Sequence, residues 1–237
     1  MRAYLTFCLI LTVKAFSRLF YRLDVDWVGE PVEDPWNRLR VAAFLNHTSL
    51  YEVLFFAALP NHVLWRFSSR GVVPGADKTL KRPVVGLFFR LFAHKVVPIT
   101  RRRDHTWTEF MDAVAGDSMV VLAPEGRMKR PTGLDLQGNP MTVRGGIADV
   151  LEAVGAGRML VVYSGGLHHV QAPGEALPRL FKTIRLRLEI VDIAGYVQAM
   201  GLGGDAAAYK KAVIEDMEAR RDRVCLPLEK GHAEATP

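Results

Sequence analysis

His47 and Glu52 are the residues of this chain best equipped by type and spacing to do chemistry. A histidine at the C-terminal end of an apolar strand, with a carboxylate close by, has what is needed to take a proton from an alcohol so that its oxygen can attack an acyl thioester. The carboxylate would fix the imidazole tautomer and stabilise the imidazolium, with no serine or cysteine nucleophile required. Glu52 also has a second reading. Ser49-Leu50-Tyr51-Glu52 has the spacing of a capping box, in which Ser49 caps a helix and Glu52 reaches back to the Ser49 backbone N–H. The two roles compete for one carboxylate.

The cations come next. Arg101, Arg102 and Arg103 follow the apolar run KVVPIT, and a guanidinium suits a phosphate because its fork meets two oxygens at once. Such a run also suits a solvated stretch or contacts to anionic headgroups, and Arg101 stands first in it. Pro124-Glu125-Gly126-Arg127 closes the next strand, with Lys129 two residues on. There Glu125 can accept from an acceptor hydroxyl or brace neighbouring arginines, Gly126 permits close backbone approach, and Arg127 or Lys129 supplies a cation. His168 and His169 are adjacent, which points their side chains apart on a strand, and no third ligand lies at metal-site spacing. Ser164 lacks the Gly-x-Ser-x-Gly setting of an exposed nucleophile, and there is no phosphate-loop or dinucleotide fingerprint.

Strands and helices must hold these groups. LRVAAFLNH reads as a buried strand delivering Asn46 and His47, followed by a helix through SLYEVLFFAAL to Pro60. HVLWRFSS reads as a second strand leading to a loop, RPVVGLFFRLFAH as a short apolar helix, and KVVPIT as a strand. A helix over 107–115, a strand in SMVVLAPEGR, an irregular stretch in KRPTGLDLQGNPMT, and a helix in GGIADVLEAVGAG with a glycine stop follow. The strand RMLVVYSGG, a late strand in RLRLEIVDIAG and a terminal helix over 205–223 complete the alternation, which indicates an α/β domain. Catalytic groups often sit at strand C-termini in such sheets.

At 237 residues and 49% hydrophobic, the chain is long enough for one sizeable core and short for two. Its 31 Lys and Arg against 25 Asp and Glu leave +6, which suits an anionic partner. No zinc-finger spacing, aromatic-basic strand or groove-reading helix points to nucleic acid, so lipid or phosphate is the expected partner. Cys8 and Cys225 lie near opposite ends and imply no disulfide framework, in keeping with a reducing compartment. At the N-terminus Lys14, Arg18 and Arg22 break the apolar run short of the ~18 to 20 residues that a spanning helix needs. Spaced by four, they form one cationic stripe on a helix that is otherwise largely apolar, the pattern of a helix lying in the membrane interface. Cleavage as a signal peptide is not expected.

In this order the blocks resemble those of the glycerophosphate and lysophosphatidate acyltransferase family. NHTSLYE resembles its Asn-His-x4-Asp block, with Glu52 where aspartate is usual, one methylene longer. VVPITRRR resembles the strand ending in the arginine that holds the acceptor phosphate, which maps to Arg101. APEGRMKR resembles Pro-Glu-Gly-Thr-Arg-Ser, with Arg127 where Thr is usual and Met128 in the Arg position. LVVYSGG stands in place of the fourth block, with Tyr163 for its proline. The similarity covers roughly residues 20 to 170.

The resemblance implies a mixed, largely parallel sheet flanked by helices and an O-acyltransferase. His47 oriented by Glu52 would deprotonate a glycerol-type hydroxyl that attacks an acyl thioester, giving an ester and a free thiol carrier. It also implies that Asn46, Arg101, Glu125, Gly126, Arg127 and Lys129 bind substrate, and that no cofactor or metal is used beyond acyl-CoA or acyl carrier protein as co-substrate. Backbone amides near His47 are expected to stabilise the oxyanion. The expected organisation is a membrane-interface helix over 1–24, a catalytic domain over 25–228 and a disordered tail over 229–237. The expected setting is the cytoplasmic face of the cell membrane, as a peripheral or monotopic protein. Two alternatives stay open: an acyltransferase for a non-glycerol acceptor such as an aminolipid or glycolipid, and a lipid-binding relative without catalysis.

Overall fold

A computed structural model describes residues 1–30, 32–100, 103–172, 175 and 177–226. Seven strands form one sheet in the order β1-β7-β6-β2-β5-β3-β4. They are β1 (Arg22–Trp27), β2 (Leu39–Leu45), β3 (Gly71–Ala76), β4 (Lys95–Ile99), β5 (Met119–Leu122), β6 (Arg158–Ser164) and β7 (Thr183–Asp192). Every pairing is parallel except β6 with β7. The expected mixed, largely parallel sheet flanked by helices is therefore what forms.

The helices are α1 (Arg2–Phe20), α2 (Asn61–Arg70), α3 (Asp77–Leu80), α4 (Pro83–Phe92), α5 (His105–Val114), α6 (Gly146–Val154), α7 (Ile193–Ala199) and α8 (Ala206–Val224). A 3₁₀ helix, Leu50–Ala58, follows β2. The central strand β2 is buried on both faces, so it reads as a continuous apolar run and its side chains alternate between two cores. Val41, Ala43 and Leu45 join Phe110, Ile147, Leu151 and Val213 beneath α5, α6 and α8. Ala42 joins Ile10, Leu54, Leu64 and Phe67 beneath α1, the 3₁₀ helix and α2.

Three local expectations are corrected. HVLWRFSS belongs to a helix, α2, because Val63, Leu64 and Phe67 recur at helical spacing and all turn inward. The strand of this region is GVVPGA, whose Pro74 and Gly75 mask it. Its pairing with β5 stops at Val72, so Pro74 needs to give no hydrogen bond on that side. Lastly, a boundary after residue 24 would cut through β1, which pairs along its length with β7. The tail over 229–237 lies outside the described residues.

The N-terminal helix is long and apolar enough to cross a membrane by length and composition, with a mean hydropathy of 1.5 over its best stretch. Its amphipathicity is the reverse of the expected one. Thr6, Ile10, Lys14 and Ser17 face the domain, whereas Tyr4, Leu5, Phe16 and Leu19 face outward, Leu19 being 73% exposed. Lys14 Nζ donates to Leu59 O (2.6 Å) and Asn61 Oδ1 (2.7 Å), Ser17 Oγ to Leu54 O (3.0 Å), and Arg18 to Ala57 O (3.2 and 3.3 Å). The stripe thus serves carbonyls at the C-terminal end of the 3₁₀ helix, where helical carbonyls lack partners and cations are favoured. Burial, with Arg18 adding to it, lowers the pKa of Lys14 from its ordinary value. Arg22, expected as the third cation of the stripe, instead opens β1.

Candidate active site

Directly after β2 comes Asn46, whose φ of 63° is left-handed, a region that asparagine tolerates better than most residues with a side chain. Asn46 Nδ2 donates to Ser164 O (2.9 Å), fastening the end of β2 to the end of β6. The next residues are tied to the segment after β6: Leu167 N donates to Thr48 Oγ1 (2.8 Å) and Ser49 Oγ to Gln171 Oε1 (2.8 Å). This turn presents His47 at the C-terminal edge of the sheet.

Glu52 reaches both of its expected partners at once, because a carboxylate has two oxygens. Oε2 lies 2.6 Å from His47 Nδ1, while Oε1 accepts from Thr48 N (2.8 Å) and Ser49 N (3.4 Å), closing the capping box around Ser49. With Nδ1 protonated and directed at Glu52, Nε2 carries the lone pair that a general base uses. Burial opposes charge on the imidazole. The charge of Glu52, its hydrogen bond and the charge of Glu125 outweigh that burial and hold the pKa of His47 above its ordinary value.

His47 and Glu52 stand at the mouth of an apolar cavity of about 190 Å³. Its walls include Phe44, Phe67, Phe88 and Phe92, together with Leu50, Val53 and Phe56 of the 3₁₀ helix. Three residues per turn stack those last three along one edge, which the 3.6-residue period of an α-helix would not do. Past Phe44, Phe56 and Phe67, which line both, lies a smaller apolar void of about 30 Å³.

The loop after β5 differs from expectation. Glu125 has no exposed surface; its Oε1 accepts from Asn46 N (3.3 Å) and its Oε2 from His47 N (3.0 Å). It therefore faces the backbone that carries His47 and not an acceptor. Burial pushes its pKa up, against the pull of those donors, Arg221 and His47. Gly126 has φ 63° and closes a turn from Ala123 O (2.9 Å), so its glycine serves backbone conformation.

Arg127, expected as a substrate-binding cation, ion-pairs with Asp135 and donates to Thr142 Oγ1 (3.2 Å), holding the irregular segment that follows. Breaking a buried pair of this kind costs about 3 to 5 kcal/mol, so the guanidinium is spent on the loop. Lys129 donates its backbone N–H to His47 O (2.8 Å), and its ammonium has no ion pair among the described residues. Arg101 lies outside the described residues.

Two further expectations change. The N–H groups of Asn46, His47, Thr48 and Ser49 all donate to Glu125 or Glu52, so an oxyanion cannot use them without breaking these bonds. Arg221 of α8, which donates from Nη1 towards Glu125 Oε1 (3.4 Å), belongs to the site although α8 reads in the sequence only as a terminal helix of mixed charge. His168 and His169 hold the carbonyls of Lys129 (2.9 Å) and Thr183 (2.8 Å), structural roles as expected. Among the described residues no group of His, Cys, Asp and Glu side chains is arranged to hold a metal ion.

No protein-family model matches the sequence, and no curated protein matches it. Among solved structures, the crystal structure of the 1-acyl-sn-glycerophosphate (LPA) acyltransferase PlsC from Thermotoga maritima is similar, with a TM-score of 0.54 and 17% identity. The alignment covers 91% of this chain and 79% of that one. At this level of identity the likeness establishes the fold: the chain is built on the architecture of that acyltransferase.

Proposed function

We propose that this protein is an O-acyltransferase of lipid synthesis, moving a fatty acyl group from acyl-CoA or acyl carrier protein to the hydroxyl of a lysophosphatidate-like or glycerol-phosphate-like acceptor. The observation that carries this reading is His47 Nδ1 at 2.6 Å from Glu52 Oε2, at the mouth of a cavity lined by aromatic and aliphatic side chains. His47 Nε2 takes the proton of the acceptor hydroxyl as its oxygen forms a bond to the thioester carbonyl carbon. Collapse of the tetrahedral adduct breaks the carbon–sulfur bond. The proton passes from the imidazolium to the departing thiolate, leaving an ester and a free thiol carrier.

In this reading the acyl chain lies in the cavity against Val53, Phe56, Phe88 and Phe92. The acceptor phosphate meets Lys129 and Arg101. No metal or cofactor takes part beyond the acyl carrier. The outward apolar stripe of α1, together with the neighbouring Phe181, 77% exposed, rests in the membrane interface, where such residues leave water. The expected side is the cytoplasmic one, where acyl thioesters are made available.

A second reading keeps the chemistry and changes the acceptor. Arg127 is engaged by Asp135 and Met128 stands where the family has its arginine, which favours an acceptor with less dependence on phosphate, such as an aminolipid or a glycolipid. The test incubates purified protein with acyl-CoA or acyl carrier protein and lysophosphatidate, glycerol phosphate or a lyso-aminolipid, alongside His47→Ala. Turnover of the phosphate-bearing acceptors that disappears in His47→Ala supports the first reading. Preference for the lyso-aminolipid supports the second, and equal rates in both proteins overturn the mechanism.

A further inference from the structure

Glu125 touches neither solvent nor the cavity, yet the backbone that carries the base hangs on it. Its two oxygens receive two consecutive backbone N–H groups, from Asn46 and His47, at 3.3 and 3.0 Å. Only an ionised carboxylate offers lone pairs on both oxygens with no O–H to clash with a donor. Burial alone favours the neutral acid. Against it stands Arg221 on the last turn of α8, with Nη1 3.4 Å from Oε1 and 2.9 Å from Met141 O, and Nε 2.8 Å from Asp222 Oδ1. The side chain of Arg221 is 11% exposed. The charged or titratable groups facing Glu125 are thus Arg221 from α8, His47 from the turn and Cys225 just past α8. Those facing His47 are Glu52 and Glu125, and Asp222 adjoins Arg221.

We propose that Arg221 is a positioning residue for the His47 base: by holding Glu125 ionised it keeps both N–H groups of the Asn46–His47 turn seated, and so fixes where the imidazole stands over the cavity. The C-terminal helix is then part of the active site without touching substrate. When the guanidinium is removed, Glu125 takes up a proton, its O–H displaces one of the two backbone donors, and His47 loses one of its two anionic neighbours. The kinetic side of this inference rests on the acyltransferase reading; the electrostatic side does not.

The test compares full-length wild type with Arg221→Met and Arg221→Lys. His47 is titrated by NMR on protein labelled at histidine, its signal identified by its absence in His47→Ala, and kcat/KM is followed against pH. In Arg221→Met the His47 midpoint should move to lower pH and kcat/KM should fall roughly ten- to a hundredfold, as misplacement of a reacting group does. KM for the acyl donor should hold, and Arg221→Lys should recover most of both losses. If Arg221→Met does not fold, Arg221→Gln removes the charge while its amide can still donate to Met141 O, and its His47 midpoint should again lie below that of wild type. A His47 midpoint equal to wild type in either folded variant overturns the proposal. Absence of turnover by wild type with every acceptor would sink the acyltransferase reading alone, and the NMR titration would still decide the role of Arg221.

Discussion

The turn at 46–52 and the loop at 123–130 each bring a carboxylate and basic groups to the same edge of the sheet, and they use them in opposite ways. The turn keeps its chemistry outward: Glu52 satisfies its cap with one oxygen and keeps the other on the imidazole at the cavity mouth. The loop turns its charges inward, Glu125 onto backbone N–H groups and Arg127 onto Asp135. The difference teaches that residue types and spacing do not fix what charged side chains face. A charged residue beside a base can serve the substrate or the scaffold, and burial separates the two.

The sharpest way to break the comparison is at the base. His47→Ala should lower kcat/KM by about 10²- to 10⁴-fold while thermal unfolding shifts little, because the side chain removed is the base of the proposed mechanism and belongs to neither core. Wild-type turnover in that variant would remove the turn from the chemistry.

Glu52→Gln comes next. Its amide must choose: with the oxygen kept on Thr48 N–H, the NH₂ faces Nδ1 and forces the ring proton onto Nε2, so cap and base cannot both survive. A loss of about 10²-fold or more is expected, with Glu52→Asp retaining part of the activity, since a shorter carboxylate keeps the right charge but not both contacts. Full activity in Glu52→Gln would leave Glu52 as a cap alone.

The loop predicts a contrast between its two cations. Lys129→Met should raise KM for a phosphate-bearing acceptor about tenfold or more, the scale of one charge-assisted hydrogen bond, with unfolding unchanged. Arg127→Met should do the reverse, losing about 3 kcal/mol of stability by denaturant unfolding with acceptor KM near wild type in the protein that remains folded. Exchange of those two phenotypes would reverse the assignment.

The smallest expected effect is in pH. The proposed mechanism uses His47 as a neutral base, and its pKa is raised, so kcat/KM should fall as pH drops through a midpoint above 6.5. In Glu52→Gln that midpoint should move downward. A limb below 6.5 in wild type would mean that burial outweighs the two carboxylates.

The strands β2, β4, β5, β6 and β7 were legible in the sequence because each is a plain apolar or alternating run, and the β2 run led directly to His47. The strand β3 was not, since Pro74 and Gly75 belong to a segment whose second neighbour is missing past Val72. The identity of the His47–Glu52 pair was legible from spacing, whereas its freedom from conflict was not, because spacing counts residues and not oxygens. Nothing in the run AAAYKKAVIEDMEARRDRV marks Arg221, whose partner is 96 residues away in the chain. The inward turn of the α1 cations escaped the same way: four-residue spacing puts Lys14 and Arg18 on one stripe but leaves open whether water or carbonyls receive them.

That inverted helix bears on how the protein can be taken apart. Lys14, Ser17 and Arg18 hold the Leu54, Ala57 and Leu59 carbonyls, and the same 3₁₀ helix supplies Leu50, Val53 and Phe56 to the cavity wall. Trimming the N-terminal helix would therefore release the cavity wall along with it. In the proposed reading, attachment and selectivity thus share one splint, and no cut between them leaves both halves whole.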